Sequence, residues 1–222
     1  MAGWNLVSEL RIALVTVTSR HTFQRLRGRK HLRVHLGCGD DIREGWVNID
    51  LNLSKRTCRS KLEQSGTALI NHDLRLGLPL EPSSCDFIYS SHLIEHLEPR
   101  AGVRLMGECF NALCPQGTFR VVLPDYKTIL KAYLKNDIEY FKILDSTSAI
   151  PELHPGTKTL IDQVNYAVYQ YGEHRYIYDE EKLVVTLRNL GFKNTFVSEF
   201  RNGIDHPSPL RRKYSLYVEA VK

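Results

Sequence analysis

The sequence predicts an α/β fold built on an open, doubly wound, mostly parallel sheet. Three observations lead there. Strand-like apolar runs alternate with helix-like runs along most of the 222 residues. The first run breaks at a Gly37-Cys38-Gly39 turn. The next two runs finish at or beside an aspartate, Asp50 and Asp73, where an α/β sheet carries its ligand-binding groups.

Taken in order, the first strand is residues 31–36 (HLRVHL), closed by the glycine turn, and the second is 46–50 (WVNID). Residues 52–66 are rich in Ser, Lys and Arg and read as a loop or short helix. The third strand is 67–71 (TALIN), followed by His72-Asp73 and a proline-rich connection. The fourth is 85–90 (CDFIYS). A helix is expected over 100–113, a turn at Pro115-Gln116-Gly117 and a fifth strand at 118–123, ended by Pro124. Residues 126–171 are helical in pattern, broken near Pro151 and Pro155, and too long for a plain crossover. A helix over 179–190 stops at Gly191. Strands at 192–200 and 214–221 close the chain, with 201–213 as a long hairpin loop. The organisation expected is an N-terminal helical extension over 1–27 and one domain over 28–222, with 126–171 inserted as a lid.

Composition narrows the function classes. The chain is 42% hydrophobic and 25% charged, the balance of an ordinary globular domain. Its net charge of +5 mildly favours anionic partners, but no nucleic-acid recognition module is visible. Five cysteines with no CxxC spacing point to reduced thiols in the cytoplasm rather than a disulfide framework or a thiolate zinc site. No apolar run approaches the ~20 residues that cross a bilayer. The N-terminal stretch lacks a basic leader and a small-residue cleavage site, so a signal peptide is not expected. There, Leu6, Leu10, Ile12, Leu14 and Val17 could line one face of a helix, expected to pack on the domain rather than lie on a membrane surface.

Each strand-end residue has a chemical use. Gly37 and Gly39 let a backbone approach a ligand closely. Asp50 can accept hydrogen bonds from two ribose hydroxyls, and Asp73 from an adenine amino group. Asp50 follows Gly39 by only 11 residues, whereas a dinucleotide-binding acid lies about 20 on. A crossover normally needs a dozen residues or more, so the helix between the first two strands must be short or missing. That argues against a pyrophosphate-binding helix N-terminus, and so against NAD.

The ordered segments HLGCGD (35–40), GWVNIDL (45–51), HDL (72–74), CDFIYSSHLIEHL (85–97) and ALCPQGTFRVVLPD (112–125) resemble the class I S-adenosylmethionine-dependent methyltransferases. They are most similar to a small bacterial group with a compressed GCG…GWxNxD segment. The resemblance covers 31–125 and extends more loosely to 174–192 and the last strands. It implies a Rossmann-like sheet of seven strands, mostly parallel, with an antiparallel terminal pair. It also implies S-adenosylmethionine as cofactor, lined by Gly37, Cys38, Gly39, Asp50, Leu51, Asp73, Leu74, Ser90 and Ser91. The expected acceptor is a hydroxyl or similar nucleophile of a small molecule or glycan. A sulfonium methyl needs mainly alignment, and a hydroxyl acceptor also benefits from a base. His92, His174 and Asp125 are the catalytic candidates, with His96 nearby and Tyr126 as a possible orienter. Tyr166, Tyr169, Tyr171, Tyr176 and Tyr178 either stack on the acceptor or simply pack.

Two readings compete. His92-Leu93-Ile94-Glu95-His96 matches H-x-x-E-H, in which two histidines four apart on a helix hold zinc and the glutamate is a general base. That reading leaves the glycine and aspartate segments unexplained, and no metal is assigned. The other is a cofactor-binding partner protein that transfers nothing.

Overall fold

The computed structural model describes residues 19–51, 65–147 and 159–222. The expectations for residues 1–18, for most of the 52–66 segment and for the breaks at Pro151 and Pro155 lie outside the described residues. Seven strands form one sheet: β1 Leu32–Leu36, β2 Val47–Asp50, β3 Ala68–Asn71, β4 Cys85–Ser91, β5 Leu113–Pro124, β6 Asn194–Ser198 and β7 Ser215–Val221. Their spatial order is β3-β2-β1-β4-β5-β7-β6. The first five run parallel, and β7 pairs antiparallel with both β5 and β6. The predicted fold class is the observed one. Strand order reverses between β1 and β4, which puts the ligand crevice at their carboxyl ends.

The central strands are buried on both faces, as a covered parallel sheet requires. Val34, Leu36, Ile49, Ile70, Ile88, Val121 and Val218 are all in the core. Helix α1, Pro99–Ala112, opens with proline at its first turn, where the missing N–H costs nothing. It packs through Gly102, Leu105, Met106, Cys109 and Ala112, one helical stripe. Helices α2 (Tyr126–Leu134), α3 (Ile138–Thr147) and α4 (Leu160–Tyr169) make up the described part of the 126–171 segment. Ile129, Ala132, Phe141, Val164 and Ala167 from these helices gather with Tyr214 into a second, smaller core. Helix α5, Glu180–Asn189, starts where Asp179 accepts from the Lys182 N–H at 2.8 Å. The predicted hairpin loop over 201–213 is not wholly a loop. Pro209 nucleates a one-and-a-half-turn helix, α6 (Pro209–Tyr214), directly before β7.

The connection from β1 to β2 carries no helix, as its length requires. Asn48, wholly buried on β2, takes over the fastening. Its amide nitrogen donates to the carbonyls of Arg43 and Trp46 at 2.9 and 3.1 Å, and its oxygen accepts from the Arg43 N–H at 2.9 Å. Among the described residues, no helix is long and apolar enough to cross a membrane.

Candidate functional site

The glycine turn folds back onto the end of β2. The Gly37 and Cys38 N–H groups both reach the Ile49 carbonyl, at 2.9 and 3.2 Å. Gly37 has φ +65°, and a Cβ there would meet the Leu93 Cβ at 3.0 Å, so the position requires glycine. Gly39, at φ +51°, donates its N–H to Asp50 Oδ2 at 3.0 Å. A Cβ added at Gly39 would point into open space, so this side of the turn is free to receive a ligand. Asp50, with Leu51 beyond it, therefore stands beside the turn at the carboxyl end of β2. Burial, and then the charge of Asp50, push the Cys38 thiol up to about 12, which makes it inert at neutral pH.

Asp73 and Leu74 lie beyond the end of β3. Asp73 caps a 3-10 turn over Leu74–Leu76 through the Arg75 N–H at 3.0 Å. The Arg75 guanidinium grips both its oxygens, with Nη2 to Oδ2 at 2.7 Å. This pairing holds the Asp73 carboxyl below its usual range, although burial works the other way. Leu74 is buried in the core. An adenine amino group would have to share Asp73 with Arg75.

Residues beyond β4 come closest together. Ser90 is buried and its hydroxyl has no hydrogen-bond partner among the described residues, while the Ser91 hydroxyl accepts from Arg211 at 3.3 Å. The chain then turns sharply at His92, φ +52°, and Ile94–His96 forms only a 3-10 turn. The helical premise of the H-x-x-E-H reading is thereby corrected: His92 and His96 share no α-helical face. Instead, His174 joins Glu95 and His96 from a distant stretch of chain. The Arg175 and Tyr176 N–H groups both donate to the Glu95 carbonyl, at 2.8 and 3.2 Å. That brings the His174 and His96 rings to 4.8 Å. His92 Nδ1 lies 3.3 Å from Glu95 Oε1, and its Nε2 shares a hydrogen with Ser215 Oγ at 2.9 Å.

His174 Nδ1 lies 2.8 Å from the Ala167 carbonyl, which only accepts, so Nδ1 carries the ring proton and Nε2 keeps its lone pair. Tyr126 Oη sits 3.0 Å from the same nitrogen, the orienting place expected of it. Burial lowers the His174 pKa, with the Glu95 charge opposing, and so favours the neutral ring.

His92, His96 and His174 line one cavity of about 270 Å³, together with Pro124, Ile129, Tyr166, Ala167, Gln170, Leu210, Arg211 and Tyr214. It opens beyond the carboxyl ends of β4 and β5. Asp125 stands apart from this group. It caps α2, accepting from the Thr128 N–H at 3.0 Å and the Thr128 hydroxyl at 2.6 Å. Of the five tyrosines, Tyr166 faces the cavity, Tyr178 and Tyr176 pack in the main core, and Tyr169 and Tyr171 are mostly exposed.

Sequence reasoning missed Arg120. On β5 it is fully buried and donates to Asp205 Oδ1 at 2.8 Å, Glu219 Oε1 at 2.7 Å, Ser198 Oγ at 2.7 Å and the Glu199 carbonyl at 2.8 Å. Asp205, within the 201–213 connection, is thus drawn onto β5 and does not line the acceptor cavity. It is α6 that reaches the cavity. The only sequence signal was a lone arginine inside an apolar strand.

Comparisons with known proteins agree with this architecture. Residues 34–121, from β1 into β5, match the family described as methyltransferase domain. A search of curated proteins returned no match. The fold is similar to that of an S-adenosylmethionine-dependent methyltransferase from Archaeoglobus fulgidus, at 15% identity and TM-score 0.51 over 96% of this chain and 94% of that one. It is also similar to one from Thermotoga maritima described as a possible histamine N-methyltransferase, at 16% identity and TM-score 0.51 over 98% and 96%. Residues 34–121 thus match a methyltransferase domain, and the sheet around them has the strand order of the S-adenosylmethionine-dependent methyltransferase fold.

Proposed function

We propose that this methyltransferase acts on a hydroxyl or similar nucleophile of a small molecule or glycan, seated in the cavity beyond β4 and β5. One observation carries the reading: His92 and His174 meet at that cavity, and His174 keeps a free Nε2 lone pair. When bound, the cofactor supplies an activated sulfonium methyl, so the protein needs mainly to align the acceptor. Asp50 holds the ribose hydroxyls, and the open face of Gly39, with Gly37 and Cys38, admits the methionine portion. Leu51, Asp73, Leu74, Ser90 and Ser91 complete the cofactor's surroundings. Attack of the acceptor oxygen on that methyl would release the cofactor as its neutral thioether. The acceptor's proton passes to His92 or His174. Asp125 supports this only as the cap of α2, whose Ile129 lines the cavity. Residues 28–222 form the working domain, and 126–171 together with α6 enclose the acceptor. Free thiols at Cys38, Cys85, Cys109 and Cys114 support a reducing, cytoplasmic setting.

The test is calorimetric titration with S-adenosylmethionine and S-adenosylhomocysteine. Asp50→Ala should lose about 1.5–3 kcal/mol of hydrogen bonding to a charged group, about 10- to 150-fold in affinity. An unchanged affinity in Asp50→Ala would overturn the ribose assignment. Cofactor binding with no transfer to any hydroxyl acceptor would favour the partner-protein reading.

A further inference from the structure

We propose that Glu95, His96 and His174 form a site for one divalent transition-metal ion at the inner wall of the acceptor cavity. The role of the ion, though not its binding, rests on the methyltransferase reading above. Three observations carry the site. One ligand atom from each side chain, a carboxylate oxygen and two imidazole nitrogens, lies within 4.8 Å of the other two. Glu95 is completely buried, yet neither of its oxygens accepts a hydrogen bond from any described residue. Its nearest recorded basic neighbour, His92 Nδ1 at 3.3 Å, is not aligned for one. A buried carboxyl group left so is costly unless it is hydrogen-bonded, paired or bound to a metal. The third observation is the tautomer of His174. A metal-binding histidine normally donates its other ring N–H to a carbonyl or carboxylate, and Nδ1 of His174 does so to Ala167 at 2.8 Å.

Two imidazoles and one carboxylate with an open side toward substrate form the donor set of catalytic zinc sites, and both histidines line the cavity. Ligands about 2.1 Å from a common ion sit about 3.4 Å apart, so binding draws the three side chains together by a rotamer-scale adjustment. The roles differ from those of a zinc peptidase. Glu95 is a ligand here, and His174, outside the H-x-x-E-H stretch, is another. An ion at this place lowers the pKa of an acceptor hydroxyl in the adjoining cavity. With the His174 Nε2 lone pair engaged by the ion, His92, which is not needed as a ligand, is the base left to take the proton.

The experiment uses the full chain stripped with a chelator and titrated with Co²⁺, followed by its visible absorption and by Zn²⁺ displacement. The expected result is one Co²⁺ per chain. His96→Gln and His174→Gln should each weaken it by more than about 100-fold, because outer partners alone are worth about 10- to 100-fold. Both variants should keep their circular dichroism and S-adenosylhomocysteine affinity. A wild-type chain that takes up neither ion stoichiometrically overturns the site, as does unchanged binding in both variants. Metal bound by a wild-type chain that binds no S-adenosylhomocysteine supports the site and sinks the transferase reading.

Discussion

Replacing Arg120 with methionine should be among the most damaging single changes in the chain. The guanidinium is fully buried and satisfies both Asp205 and Glu219, with the Ser198 hydroxyl and the Glu199 carbonyl as further acceptors. Methionine fills much of the volume but leaves Asp205, itself almost fully buried, without its cation. Glu219 is spared in part, because Arg201 Nη1 stays 2.6 Å from its Oε1. Breaking a buried pair by removing one partner costs about 3–5 kcal/mol. For a chain of this size that is a fall in Tm of roughly 6–20 °C, at about 2–4 °C per kcal/mol. Urea and thermal unfolding measure it. The double variant Arg120→Met/Asp205→Leu should be less destabilised than the sum of the singles by about 1–3 kcal/mol, because it removes the stranded charge as well. A loss within about 1 kcal/mol for Arg120→Met alone would refute the reasoning. It would mean that water or a side-chain shift satisfies Asp205 at little cost.

Three other outcomes are expected. His35 is buried, and desolvation, reinforced by the Arg43 charge, holds its pKa at about 3 against 6.5 in the unfolded chain. The unfolded state therefore takes up a proton first as pH falls below 6.5, and this group should remove about 2 kcal/mol of stability between pH 7 and pH 5. His35→Gln should flatten that interval, and a wild-type-to-variant gap constant with pH would contradict the assignment. Gly37→Ala must adopt φ +65° and press on Leu93, so urea unfolding should record a loss of at least about 1–2 kcal/mol, with weaker cofactor binding. Cys109 is fully buried with its thiol pushed well above the ordinary range, so a thiol reagent applied to the native protein should label the partly exposed Cys114 and spare Cys109.

Much of the fold was legible because each strand announced itself by an apolar run with a turn or an acid at its end. The missing crossover helix followed from arithmetic alone, since the interval between Gly39 and Asp50 is too short for one. The site was less legible, for three different reasons. Asp73 is legible as an acid beyond a strand end, but its grip by Arg75, two residues on, is not. The spacing of His92 and His96 suggested a shared helix face, but a single positive φ at His92 breaks the helix before it begins. Neither the pairing of His174 with Glu95 nor that of Arg120 with Asp205 has any local pattern. Both are made by the closing of the chain, one through backbone hydrogen bonds and the other between β5 and the connection that follows β6.

The Glu95 carbonyl, which receives the N–H groups of both Arg175 and Tyr176, sets a limit on how this pocket can evolve. The clasp is made entirely of main chain, so no exchange of a side chain deletes it short of introducing proline. Tyr166 and Leu210 line the same cavity outside this clasp, and each can be altered by one codon. Selection can therefore reshape the acceptor end of the chamber freely while the distance between His96 and His174 stays inherited. A lineage that changes its substrate in this way keeps the same chemical centre.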